Sequence, residues 1–155
     1  MRIELDDLTA GEVVALLEDH LAEMRAHSPE DSMHALDLAG LRAPGVSFWS
    51  VWDGDRLAGC GALKELDPAH GEIKSMRTAP GYRGRGVGSM LLRHLVGIAR
   101  DRGYSRLSLE TGARPFYAPA HRLYERYGFR RCAPFADYRE DPHSIFMTLS
   151  LDADR

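Results

Sequence analysis

The chain has 155 residues, 44% hydrophobic and 28% charged, with a formal net charge of -3 at pH 7. That length suits one domain, spanning 1–155, with a proper core, and the composition is that of a globular protein rather than a disordered one. The mild acidity gives no reason to expect a nucleic-acid partner. Cys60 and Cys132 make neither a disulfide framework nor a zinc signature, and no apolar run approaches the length of a membrane span. The first residues, Met1 to Asp7, carry acid where a secretory leader needs an apolar run, so the cytoplasm is the expected location.

Arg2 to Leu5 alternates polar and apolar residues and reads as a short strand. Thr9-Ala10-Gly11-Glu12 has the form of a capping box, with Thr9 as N-cap. Behind it Val13, Leu16, Leu17, Leu21 and Met24 fall on one helical stripe, which predicts a helix from Ala10 to Ala26. A weaker helical piece runs from Met33 to Ala39. Val46 to Trp52 and Arg56 to Leu66, joined by the turn Asp53-Gly54-Asp55, predict an antiparallel hairpin. Glu72 to Thr78 alternates, but Ile73 and Met76 are out of phase, which predicts a bulge. Val87, Leu91, Leu95 and Ile98 form the stripe of a helix ending at Arg102, with Gly103 as its stop. A strand from Ser105 to Glu110, a helix from Ala118 to Tyr127, and strands Phe129–Ala133 and Ser144–Leu151 complete an α+β order around one mostly antiparallel sheet.

The stretch Thr78 to Gly88 joins a strand to a long helix through Gly84, Gly86 and Gly88, with Arg83 and Arg85 among them. Bare backbone and the positive end of a helix invite a phosphate or pyrophosphate. A Walker A loop is excluded, because no Gly-Lys-Ser/Thr follows. A dinucleotide fingerprint fits poorly: Ser89 stands where a third glycine or alanine belongs, and the preceding strand is polar on alternate residues. Taken alone, the glycine triplet also reads as a surface turn without ligand.

A second segment decides between these. Arg83-Gly84-Arg85-Gly86-Val87-Gly88, with Pro80 upstream, resembles the R-x-x-G-x-G loop of the GNAT superfamily of N-acetyltransferases. Ala120-His121-Arg122-Leu123-Tyr124-Glu125-Arg126-Tyr127-Gly128-Phe129 resembles that family's A-x-x-L-Y-E-K-x-G-F segment, in the family's order. The resemblance implies a mixed, mostly antiparallel sheet with helices on both faces, and acetyl-coenzyme A as donor. It implies that Arg83, Gly84, Arg85, Gly86, Val87, Gly88 and Ser89 cradle the pyrophosphate. Main-chain groups of Met76, Arg77 and Thr78 would meet the pantetheine arm, the N–H near Met76 would polarise the thioester oxygen, and Tyr124 would protonate the leaving thiolate.

Glu72 stands where many relatives place the base that takes the amine's proton. Glu110, at the end of the neighbouring strand, is an alternative base or an amine-binding carboxylate. Relatives often carry a cofactor-binding asparagine three residues before the alanine of the second motif; here that residue is Tyr117, flanked by Pro115 and Pro119, and its main chain or phenol would have to replace the contact. The family's acceptor region points to His27, Ser28, His34, Phe135, Asp137 and Tyr138. A small-molecule or amino-acid-like amine is the expected acceptor, without nucleic acid or membrane. The seven histidines show no metal-binding spacing, so no metal is expected. Relatives pair their last strands across a homodimer, which this chain would also permit. A non-catalytic acyl-coenzyme A binding module stays open beside the enzyme, although a pure binder needs neither Tyr124 nor Glu72.

Overall fold

The structure is a computed structural model, and it describes residues 1–28 and 38–151. Its frame is one seven-stranded sheet: β1 (Arg2–Leu5), β2 (Val46–Asp53), β3 (Arg56–Asp67), β4 (His70–Thr78), β5 (Arg106–Gly112), β6 (Arg130–Arg131) and β7 (Ser144–Ser150), in the spatial order β1-β2-β3-β4-β5-β7-β6. Every neighbouring pair is antiparallel except β4 and β5. Those two are parallel, so the chain between them must cross over, and it does so through α3 (Val87–Asp101).

The hydrophobic pattern divides between the two faces. Leu92, Leu95, Val96 and Ala99 of α3 pack with Leu63, Ile73, Leu107, Leu109 and Met147 of the sheet and with Tyr124 of α4 (Ala118–Arg126). On the opposite face, Val13, Leu16 and Leu17 of α1 (Gly11–His27) pack with Leu41 of α2 (Leu38–Leu41) and with Phe48, Trp52, Cys60 and Ala62. Strands covered on both faces read as continuous apolar runs, which is why Phe48 and Trp49 are both buried though they point to opposite sides. The fold is therefore the expected α+β sheet with helices on both faces. No described helix is long and apolar enough to cross a membrane.

Two details differ from the sequence reading. The N-cap of α1 is Ala10, with no side-chain cap, because the Thr9 hydroxyl donates instead to Asp7 Oδ1 at 2.6 Å. A carboxylate two residues away is nearer to that hydroxyl than the first turn of the helix. The strand expected over Phe129–Ala133 is paired only at Arg130 and Arg131. The helix expected over Met33–Ala39 lies outside the described residues except for its last two positions, as does His34.

The predicted bulge is present in β4. Cys60 pairs with Arg77 and Ala62 with Lys74, so Ser75 and Met76 both stand opposite Gly61, and Ser75 takes a positive φ of 53°. Pairing of β4 with β5 covers only His70–Ile73 against Arg106–Leu109. Beyond Ile73 the two strands part, while β5 continues on β7 as far as Gly112. A slot thus opens in the middle of the sheet, beginning at the bulge.

Candidate active site

Gly84 and Gly86 have φ values of 75° and 83°, a left-handed backbone that side-chain-bearing residues rarely take, and the space where their Cβ atoms would lie is open. Gly86 is the N-cap of α3 and supplies no side-chain cap, and the first bond of the helix runs from the Met90 N–H to the Gly86 carbonyl. The N–H groups of Val87, Gly88 and Ser89 therefore have no acceptor within the helix, and they lie at the positive end of a 15-residue helix with no acid in its first turn. This cradle fits a pyrophosphate. Gly88 is needed for packing as well, since a Cβ there would stand 3.1 Å from Leu123 of α4.

The arginines of the loop are engaged by the protein. Arg83 lies 3.3 Å from Glu23 of α1, and the same carboxylate accepts from Arg77 at 2.6 Å. These two cations hold the Glu23 carboxyl down at about 2. Arg85 lies over the ring of Tyr82, with its guanidinium carbon 4.7 Å from the ring centre.

Below the loop, where β4 and β5 part, a cleft is lined by His20 and Met24 of α1, Glu72, Lys74, Ser75 and Met76 of β4, Glu110, Thr111 and Gly112 of β5, Tyr117, Tyr124 and Tyr138. The slot, the bulge and six of the residues singled out in the sequence (Glu72, Met76, Glu110, Tyr117, Tyr124 and Tyr138) thus come together. Glu72 is 2% exposed. Its Oε2 accepts from Tyr138 at 2.5 Å and lies 3.3 Å from the Lys74 ammonium. Tyr124 is buried against the core beside Phe129, and burial with the nearby charge of Glu110 pushes its phenol up to about 12. The imidazole of His20 is pushed down to about 4 by burial and by Arg77, so it stays neutral near neutral pH.

Tyr117 ends a short 3₁₀ turn at Pro115–Tyr117 that leads directly into α4, with Pro119 in the first turn of that helix. Its hydroxyl shares a hydrogen bond of 2.6 Å with Ser28 at the end of α1, and its ring lies against Gly112 so closely that no Cβ would fit there. His27 does not line the cleft. Its ring stacks on Phe116 at 3.6 Å between centroids. Phe135 lies behind Tyr138, with ring centres 5.1 Å apart. Sequence reasoning passed over His20 and Lys74. Lys74 was legible as the residue two along from Glu72 on the same face of a strand, whereas nothing marked His20 apart from the apolar stripe around it.

The glycine loop opens the crossover helix, the parallel strands part below it, and Glu72 and Tyr124 both line the cleft at that split. Residues 13–129 match the model of the acetyltransferase (GNAT) family. The chain is 56% identical to the uncharacterized N-acetyltransferase YsnE of Bacillus subtilis, over 97% of this chain and 100% of that protein. It is 36% identical to the IAA acetyltransferase of Azospirillum brasilense over 90% of each. Among solved structures, a Klebsiella pneumoniae protein assigned as an acyl-CoA N-acyltransferase superimposes with a TM-score of 0.80 at 32% identity, over 97% of both chains. The chain belongs to the GNAT family of acetyl-coenzyme A-dependent N-acetyltransferases.

Proposed function

We propose that the protein transfers an acetyl group from acetyl-coenzyme A directly to the primary amine of a small-molecule or amino-acid-like acceptor, with both substrates bound together. The observation that carries this reading is that Glu72 and Tyr124 line one cleft at the point where β4 and β5 part. The donor supplies the activated acetyl as a thioester. Glu72 takes the proton of the attacking amine, directly or through water, and Tyr124, whose phenol is held protonated well above neutral pH, gives one to the leaving sulfur. The N–H at the bulge near Met76 is the donor assigned to the thioester oxygen.

Among the described residues, the cleft carries two carboxylates, Glu72 and Glu110, against the one ammonium of Lys74, which favours a cationic acceptor. Relatives named for small acceptors, the IAA acetyltransferase and the streptothricin acetyltransferase of Streptomyces lavendulae, support a small molecule. Direct transfer is supported by the cysteines: Cys60 is buried with its thiol pushed up to about 12, and Cys132 is only partly buried and outside the cleft.

The test is thiol release from acetyl-coenzyme A over a panel of amines, amino acids and peptides, followed by initial-rate kinetics on the best acceptor. Intersecting double-reciprocal lines are expected. Parallel lines would indicate a covalent acetyl-enzyme and overturn direct transfer. Turnover on peptides with none on free amines would overturn the acceptor class.

A further inference from the structure

Glu72 is held by two other side chains. Tyr138 donates its O–H to Glu72 Oε2 at 2.5 Å, and the Lys74 ammonium lies 2.8 Å from the phenol oxygen and 3.3 Å from that same carboxylate oxygen. The three polar atoms close a triangle. Glu72 and Lys74 are 2% and 9% exposed. They are alternate residues of one strand and share a face, whereas Tyr138 arrives from the connection between β6 and β7.

Tyr138 is placed by more than its hydroxyl. Its ring packs at 5.1 Å from Phe135 and 5.4 Å from Phe146, both buried. Its N–H donates to the Phe135 carbonyl at 3.1 Å, closing a tight turn in which Ala136 takes a positive φ of 52°. Such a backbone persists only where its surroundings enforce it.

A buried ion pair is seldom the most stable way to fill such a space, because desolvating two charges offsets most of their attraction. What the arrangement does supply is control of a carboxylate. Both contacts fall on Oε2.

We propose that Lys74 and Tyr138 are positioning residues for Glu72, a clamp between β4 and the β6–β7 connection that holds the base in one orientation. This rests on the reading of Glu72 as the base. Among the described residues, the groups facing Glu72 are His70 and Lys74 on its own strand, Lys64 opposite it on β3, Glu110 on β5, Tyr138 on the connection, His20 on α1 and Tyr124 on α4. Lys74 and Tyr138 touch the carboxylate. Burial and the charge of Glu72 push the Tyr138 phenol upward, so it remains a donor across the working range.

The experiment compares pH profiles of kcat/KM on one fixed amine for the native enzyme, Lys74→Met, Lys74→Arg, Tyr138→Phe and Glu72→Gln, with calorimetric acetyl-coenzyme A affinity and a thermal melt for each. With the amine held constant, any movement of the acidic limb comes from the protein. Lys74→Met should move that limb to higher pH, because it removes the opposite charge beside the carboxylate. Lys74→Arg should restore it. Tyr138→Phe, which keeps the packed ring and removes only the O–H, should move it in the same direction by less. Acetyl-coenzyme A affinity should stay within about twofold throughout, since neither residue is assigned to the cradle.

If the limbs of Lys74→Met and Tyr138→Phe superimpose on the native profile while Glu72→Gln has lost its rate, the clamp is wrong and the base stands. If Glu72→Gln keeps both rate and limb, the base reading falls and the clamp with it. Should Lys74→Met fail to fold, the Tyr138→Phe profile decides alone.

Discussion

Tyr117 and Ser28 join their hydroxyls at 2.6 Å, tying the end of α1 to the turn that begins α4. The two helices lie on opposite faces of the sheet, so this bond spans the open end of the slot between β4 and β5. Tyr117 also lines the cleft and lies against Gly112. The Tyr117 hydroxyl is thus directed to α1, while its main chain takes no part in that bond.

Tyr117→Phe is accordingly expected to act on the acceptor side. It removes one partly buried hydrogen bond, a loss of about 1 kcal/mol that lowers the melting temperature by about 3 °C in a chain of this size. Calorimetry should find acetyl-coenzyme A binding unchanged, while KM for the amine rises severalfold. A selective loss of cofactor affinity would return Tyr117 to the donor site.

Gly86→Asp probes the cradle. Asp tolerates a left-handed backbone better than most residues, so the start of α3 should survive. Its carboxylate would stand where the pyrophosphate belongs, and calorimetric affinity for acetyl-coenzyme A should fall by at least about tenfold, or about 1.4 kcal/mol. Undiminished affinity would remove the glycine loop from the donor site.

Local sequence information ends where long-range packing begins. The glycine loop, the bulge in β4 and the apolar stripes of α1 and α3 are each written within a few consecutive residues, and each was legible. Thr9 misled because a capping box describes what a hydroxyl is able to do, and Asp7 offered that hydroxyl a nearer partner. The contacts of Tyr138 were not legible, because they join residues 66 positions apart through an aromatic cluster that exists only once β7 lies beside β5. Glu23 was hidden in the same way: on the helix it is one more acid among the polar positions, and only packing shows that it bridges Arg77 and Arg83.

That bridge gives a pH dependence with a definite sign. Glu23 is held at about 2 in the folded protein, chiefly by the hydrogen bond from Arg77, against an ordinary 4.5. A depressed carboxylate binds fewer protons folded than unfolded, so its contribution to stability is complete above the unfolded value and fades as pH falls toward the folded one. Denaturant titrations of the native protein and Glu23→Gln should therefore differ by a constant amount above about pH 5.5. The difference should shrink between pH 4.5 and about 2. A gap that held steady across that range would mean that the charge of Glu23 adds nothing.

Tyr124 makes the opposite kind of statement, about a proton that must be kept. A general acid has to be protonated when the thiolate leaves, and a phenol of ordinary value 10 would lose half its acid form at pH 10. Burial, with the charge of Glu110 beside it, pushes Tyr124 up to about 12, so its acid form persists through that range. With an amine already deprotonated at pH 9, kcat of the native enzyme should therefore stay level to about pH 10 and fall only on approach to 12. Tyr124→Phe should lower kcat by about 10²- to 10⁴-fold, the usual share of a positioned proton donor, and leave acetyl-coenzyme A affinity unchanged. A hydrophobic ring of the same size remains in the same pocket, so a folding defect would show in the melt and would not imitate that split. Full kcat in Tyr124→Phe would remove the phenol from the reaction and leave solvent to protonate the sulfur.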